Sequence, residues 1–264
     1  MIISQELKQP KIMKHFLQLF FMLFTCICSA QLNTGDMAFI AFNADGDDDF
    51  AMVTFVDIPA NTTIYFSDKE WTGTEFNSGE ANYQWQSGAS VISAGSIITF
   101  YAISATPSIS HGTIVGSPGG LSASAEAIFA YHGTDIDTPT TFIAAVANAS
   151  SAYDDGAGTG LTGTGLTEGT TAITYPSGTD IAAYKGIRTG FTPNGYLVAL
   201  NDMTNYDIQD ESGDQSIDTI APDVPFDTTA FSISTTDTNP PSVANTIAIG
   251  QNSVEVTFTE TITQ

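Results

Sequence analysis

The chain has 264 residues, 42% of them hydrophobic, enough for one large core or for one domain and part of a second, which excludes disorder throughout. Only 13% of the residues are charged, yet the net charge is -23, because six Lys and Arg face 29 Asp and Glu. Such a surface repels nucleic acid phosphate and anionic membranes, and its uncharged part, rich in Thr, Ser, Asn and Gly, suits sheets and turns rather than surface helices.

Residues 1 to 30 carry Lys8, Lys11 and Lys14, then the apolar run Phe16 to Ile27, then Ser29 and Ala30. This order predicts a signal peptide cleaved after Ala30, with Met13 as an alternative start, and hence a secreted or cell-surface protein. The apolar run is about 12 residues, too short for a hydrocarbon core that needs roughly 20, so no transmembrane span is expected after cleavage. Cys26 and Cys28 both lie in this leader, so the mature chain is expected to have neither disulfide nor thiol chemistry. Leu23-Phe24-Thr25-Cys26 fits a lipoprotein cleavage site poorly. Without the leader, three basic residues face 28 acidic ones. Divalent cations such as Ca²⁺ would relieve that repulsion, and plain solubility explains the charge equally well.

From residue 31 to 236 the apolar residues form short β-branched and aromatic runs bounded by Gly, Pro, Asn and Asp. The predicted strands are Met37 to Phe42, Phe50 to Val56, Thr62 to Ser67, Ser96 to Ile103, Glu126 to Tyr131, Thr141 to Val146, Asp180 to Tyr184 and Tyr196 to Leu200. Their spacing predicts an all-β fold, a mostly antiparallel sandwich or barrel. Only Ala144 to Ala152 suits a short helix. Gly156 to Leu166 contains the glycine spacing of a nucleotide fingerprint without its strand-to-helix setting, and reads as a flexible connection. Asp237-Thr-Asn-Pro-Pro241 reads as a linker, and the strands Val243 to Ile249 and Ser253 to Thr259 open an incomplete second domain over 237–264.

Three groups of residues are candidates for binding. Asn43, Asp45, Asp47, Asp48 and Asp49 lie in one predicted turn and offer oxygens at alternate positions, the opening of a calcium loop. Asp48 occupies the glycine position of an EF-hand and Thr54 its bidentate Glu position. The choice is therefore between a looser Ca²⁺ site and a solvated Asx-rich turn. Asp202, Asp207, Asp210, Glu211, Asp214 and Asp218 form a second acidic stretch, read by default as a mobile loop. Trp71, Tyr83 and Trp85 lie near Asp68, Glu70, Glu75 and Glu80, so their faces could stack on a sugar, or simply fill the core. His111 and His132, each before a glycine, read as turn residues. The mature chain has no Cys for a zinc site, no Gly-x-Ser-x-Gly elbow and no phosphate loop with its Lys, so no acid, base and nucleophile set can be named.

Gly35 to Asp45, Asp49-Phe50-Ala51, Asp57 to Ala60, Ile64 to Asp68 with Trp71, Gly79-Glu80 with Trp85, and Ala94-Gly95 resemble the lamin-tail-type domains of bacterial extracellular proteins. Leu121-Ser122, Ala127 to Tyr131 and Gly165 to Thr171 continue the likeness to about residue 200. The resemblance implies an immunoglobulin-like β-sandwich that accompanies enzymes, adhesive repeats or sorting domains, with no fixed ligand. The chain departs from it in being longer than a compact domain of this type. Val256-Thr-Phe-Thr-Glu260, after Pro240-Pro241, is similar to the opening of bacterial surface Ig-like repeats. The expected role is a non-catalytic extracellular module for display, spacing or adhesion, stabilised by Ca²⁺ if the acidic turn binds it, with neighbouring domains, surface proteins or glycans as partners. The alternative is a carbohydrate-binding module or the accessory domain of a secreted hydrolase.

Overall fold

The computed structural model describes residues 31–154 and 156–236, and the backbone of 243–250 and 253–258. The leader and the Pro-Pro linker lie outside the described residues. The strands are β1 (Met37–Asn43), β2 (Asp49–Thr54), β3 (Thr63–Ser67), β4 (Asn82–Gln86), β5 (Ile97–Tyr101), β6 (Ser108–Ile109), β7 (Thr113–Val115), β8 (Ala127–Asp135), β9 (Thr138–Ala147), β10 (Ala172–Thr174), β11 (Ile181–Tyr184), β12 (Tyr206–Gln209), β13 (Val243–Gly250) and β14 (Ser253–Phe258). They form an all-β sandwich of two six-stranded sheets, ordered β12-β11-β1-β2-β5-β6 and β10-β9-β8-β3-β4-β7. Every pairing within the two sheets is antiparallel except β10 with β9. The β13-β14 hairpin is a separate two-stranded sheet.

Alternation with period two explains the core between the sheets. Phe42, Phe50 and Phe100 pair across β1, β2 and β5 and therefore share one face. Phe50 stacks on Phe100 at 4.4 Å between ring centroids, and both meet Phe66 of the opposite sheet, at 5.4 and 5.2 Å. Phe66 in turn stacks on Tyr83, and Trp85 meets Phe100 edge-on. The second sheet is buried on its other face too. There Phe129, Tyr131 and Phe142 form a smaller core with Trp71, Phe76, Tyr153 and Leu166, which the loops after β3 and β9 lay over the sheet.

Three expectations are corrected. Tyr196 to Leu200 is not a strand but the end of helix α1 (Pro193–Leu200). Thr192 caps it by accepting from the Gly195 N–H, and Pro193 supplies a first-turn φ that suits a helix, so Tyr196 and Leu200 are buried one turn apart. Ala144 to Ala147 completes β9, leaving only the 3₁₀ turn η1 (Ser150–Tyr153) of the expected helix. Gly156 to Leu166 is a run of turns packed on the second core: Leu166 is buried, and the Trp71 indole N–H donates to the Thr162 carbonyl at 2.7 Å.

A strap after the last strand of the sandwich returns across the body. Phe226 stacks on Tyr101, Phe231 stacks on Tyr184, and the Phe231 N–H donates to the Gly95 carbonyl at 2.8 Å. At Gly95, φ is +84° and a Cβ would stand 1.9 Å from the Phe231 carbonyl oxygen; Gly178 has the same φ of +84° with open space around it. Gly178→Ala is therefore expected to cost about 1–2 kcal/mol for left-handed backbone. Gly95→Ala should cost clearly more, because the strap must also detach; urea unfolding of the two variants side by side checks the difference.

Candidate metal centre

The turn after β1 brings acidic side chains close in sequence but sends them apart in space. Asn43 is fully buried at the end of β1, and its amide donates to the Asp45 carbonyl at 2.9 Å and to the Asp49 carboxylate at 2.6 Å. Asp49 also accepts from the Ala102 N–H at 2.8 Å, tying β2 to the end of β5. Asp48 points elsewhere and accepts from the Leu121 N–H at 3.0 Å. Burial raises both carboxyls above their ordinary values, against the pull of those N–H donors and with some help from neighbouring Asp47. Asp47 is exposed. Of the five residues proposed from sequence as one calcium loop, Asn43, Asp48 and Asp49 thus fasten segments of the fold, and Asp45 is the one that joins a group of three carboxylates among the described residues.

Asp45, Asp180 and Asp214 form the convergent cluster. One carboxylate oxygen from each lies within 4.8 Å of the other two. The three come from the turn after β1, the residue before β11 and the acidic loop after β12. The Asp180 backbone is fixed between two elements, its N–H donating to Gln209 at 3.0 Å and its carbonyl accepting from Ala44 at 2.8 Å. One oxygen of Asp45 accepts from the N–H groups of Gly213 and Asp214, at 3.0 and 3.1 Å, which docks the acidic loop on the sandwich. One oxygen of Asp214 accepts from the Glu211 N–H. Asp180 is buried as a residue, but its carboxylate oxygens are not among the buried atoms without a partner, so solvent reaches them. Burial raises its proton affinity, and Asp45, Asp214 and Asp210 raise it further by repulsion. In the rest of the acidic stretch Asp202 caps the 3₁₀ turn η2 (Met203–Asn205), and Asp207 lies in β12 against Lys185.

The aromatic candidates are core residues. Trp71, Tyr83 and Trp85 are 5%, 3% and 0% exposed, so none presents a face on which a sugar could stack. Both indole N–H groups are engaged, that of Trp85 with the His111 carbonyl at 2.8 Å. Nor is His132 a turn residue: it sits in β8, accepts from the Leu32 N–H through Nε2 at 3.2 Å, and burial lowers its proton affinity.

Sequence reasoning did not find a second buried acidic group. Burial pushes Glu126 up to about 8, opposed by the Ser122 N–H and reinforced by Glu80 and Asp68. Asp68 is pushed up to about 6 by burial, against the Ala81 N–H, and one of its oxygens has no partner, as is true of the Tyr83 hydroxyl. A polar residue before an apolar strand looks like a strand boundary, so only the tertiary burial reveals this pair.

Comparison with protein-family models, curated proteins and solved structures returned no match.

A carboxyl whose folded affinity for protons is raised makes the fold more stable in its neutral form. That stability is complete below the ordinary value near 4.5 and is lost as pH rises through about 8 for Glu126. The melting temperature should therefore fall between pH 5 and pH 8.5, and Glu126→Gln should flatten the profile even if it lowers the plateau. A second expectation concerns the aromatic core: Trp85→Ala should cost about 3–5 kcal/mol in chemical denaturation, the loss seen when a large core aromatic is truncated.

Proposed function

We propose that this chain is a non-catalytic extracellular or cell-surface module of lamin-tail type, whose sandwich displays or spaces a neighbouring domain. The single observation that carries this reading is the fastening of the sandwich at both chain ends. At the entry, the Leu32 N–H donates to His132, the Thr34 hydroxyl to the Phe142 carbonyl at 2.7 Å and the Gly35 N–H to the Ile143 carbonyl at 2.9 Å. At the exit, the N–H groups of Phe231, Ser232 and Ser234 donate to Gly95, Arg188 and Phe191 at 2.7 to 2.9 Å. A body held at both ends passes position from one neighbour to the next, whereas frayed ends would act as a hinge.

The leader supports export, and the large carboxylate excess suits a surface that must stay soluble among anions. No described helix is long and apolar enough to cross a membrane. The partners in this reading are adjoining domains and surface proteins.

Fractionation of the native host should recover the protein outside the cytoplasm with its first residue at or near Gln31; cytoplasmic protein beginning at Met1 or Met13 would overturn the reading. Removal of residues 237 to 264 should leave the thermal transition of the sandwich within about 2 °C, because the β13-β14 hairpin pairs only with itself among the described residues and a mere surface change alters stability by roughly 0.5 kcal/mol or less.

A further inference from the structure

We infer that His132 is an acid-operated latch on the entry of the sandwich: the neutral ring holds the Leu32 N–H, and the protonated ring releases it, so that residues 31–33 come free and the upstream end turns from a fixed joint into a hinge. The inference deepens the module reading and rests on it only for the use of such a hinge, since the latch itself is a property of the fold.

Three facts make this ring the switch among the entry contacts. The first is its position. Phe129 and Tyr131 belong to the smaller core, so the alternation of β8 turns His132 to the other face with Ile128 and Ala130, which share the main core with the buried Leu32. The second is that both ring nitrogens are committed in the neutral state. Nε2 accepts from the Leu32 N–H at 3.2 Å. A backbone hydrogen bond to Thr63 favours the protonated ring, as a bond that the ring donates does, so the acceptor is the Thr63 carbonyl and the donor is the remaining nitrogen, Nδ1. One tautomer alone satisfies both contacts. The third is the rest of the entry. The Asn33 N–H stays within the segment, on Asp36, whereas the Thr34 hydroxyl and the Gly35 N–H end on the Phe142 and Ile143 carbonyls, which mild acid leaves unchanged, so the release stops there.

Acid acts at Nε2. A proton there faces the Leu32 N–H, donor against donor, and the bond becomes a repulsion. The new charge also finds no partner. Strand β9 carries no titratable side chain, and the neighbouring segments offer Asp36 in the entry, Tyr65 on β3, and Tyr131 and Asp135 on β8. No charge on these or on the opposite sheet contributes to the proton affinity of the ring, which burial lowers and Thr63 partly restores. Removal of the leader adds the Gln31 α-amino group, whose positive charge moves the release further toward acid. An imidazolium without a counter-charge must reach water, and the closed packing, with His132 only 9% exposed, keeps it from doing so. The sign follows from linkage. A histidine whose folded proton affinity is lowered contributes its fastening fully above the ordinary value of 6.5, and the contribution is lost as pH falls below it.

The test is nuclear magnetic resonance of the isotope-labelled full chain between pH 7.5 and pH 5. At pH 7.5 the His132 ring should carry its proton on Nδ1. Hydrogen exchange of the Leu32 amide, corrected for its intrinsic dependence on pH, should accelerate by roughly tenfold for each pH unit below about 6.5 until the folded ring is itself protonated. The Gly35 amide should keep its protection throughout. The readout is local because Glu126 stabilises the whole fold over the same interval. His132→Gln, whose side-chain oxygen accepts without titrating, should abolish the acceleration, and His111→Gln, at an exposed ring, should leave it as in wild type. If His132→Gln fails to fold, the wild-type tautomer and the Leu32 exchange decide by themselves. A neutral ring protonated on Nε2, Leu32 exchange unaltered by acid, an equal loss of protection at Gly35, acceleration that persists in folded His132→Gln, or its disappearance in His111→Gln would each overturn the inference. Export is read separately by fractionation, so a failed latch and a failed module reading give different results.

Discussion

With so few cations in the chain, the carboxylates must find their partners among backbone N–H groups, and the loops are arranged around that need. Asp36 accepts from Asn33, Asp49 from Ala102, Asp48 from Leu121, Asp57 from Ala94, Glu126 from Ser122 and Asp154 from Gly156. Several of these bonds join segments more than 30 residues apart. Hydrogen bonds to a charged group contribute about 1.5–3 kcal/mol each, against 0–1 kcal/mol for an exposed ion pair, so this is the more effective use of a carboxylate. It also satisfies donors in long loops that no sheet ladder could reach. Asp68 is the exception, a buried carboxyl with one oxygen that has no partner.

The loops serve a second purpose. The β8 and β9 strands carry large apolar groups on both faces, so a two-layer sandwich alone would leave Phe129, Tyr131 and Phe142 in water. The segments after β3 and β9 cover them, and Trp71 anchors the two segments to each other through the Thr162 carbonyl. Here packing and polar satisfaction work together: Asp154 accepts from Gly160 and Gly156, and although burial raises its affinity for protons, those N–H donors lower it overall. This is also why the chain is longer than a compact sandwich requires.

Most of the strands could be read from the sequence because β-branched and aromatic runs ended at turn residues, as at Met37 to Phe42 and Thr62 to Ser67. The strand β4 was hidden because Asn82, Gln84 and Gln86 alternate with Tyr83 and Trp85; the period of two was present, but the aromatics suggested a sugar platform instead. Helix α1 was hidden by its β-forming content, Tyr196 and Val198, against which the cap at Thr192 and Pro193 prevailed. At the acidic cluster the sequence indicated Asp45 and Asp214 as members of separate groups and gave Asp180 only as a strand end. Residues 45, 180 and 214 meet through the pairing of β1 with β11 and of β11 with β12, and through the docking of residues 213 and 214 on Asp45. No local spacing encodes such a meeting.

The pairing of β1 with β11 also bears on the order in which the molecule can take shape. Ala41 lies opposite Ala183, and Asp45 docks residues 213 and 214, so the first strand to be synthesised must await partners made some 140 to 170 residues later. Until then β1 can pair with β2 alone, and its outer edge is open to any other strand nearby. Loops this long close slowly, and mainly non-local β topologies fold in milliseconds to seconds rather than microseconds. A nascent or unfolded chain therefore presents an apolar edge, Met37 to Phe42, for much of its early life, a hazard for aggregation that the finished sandwich conceals completely.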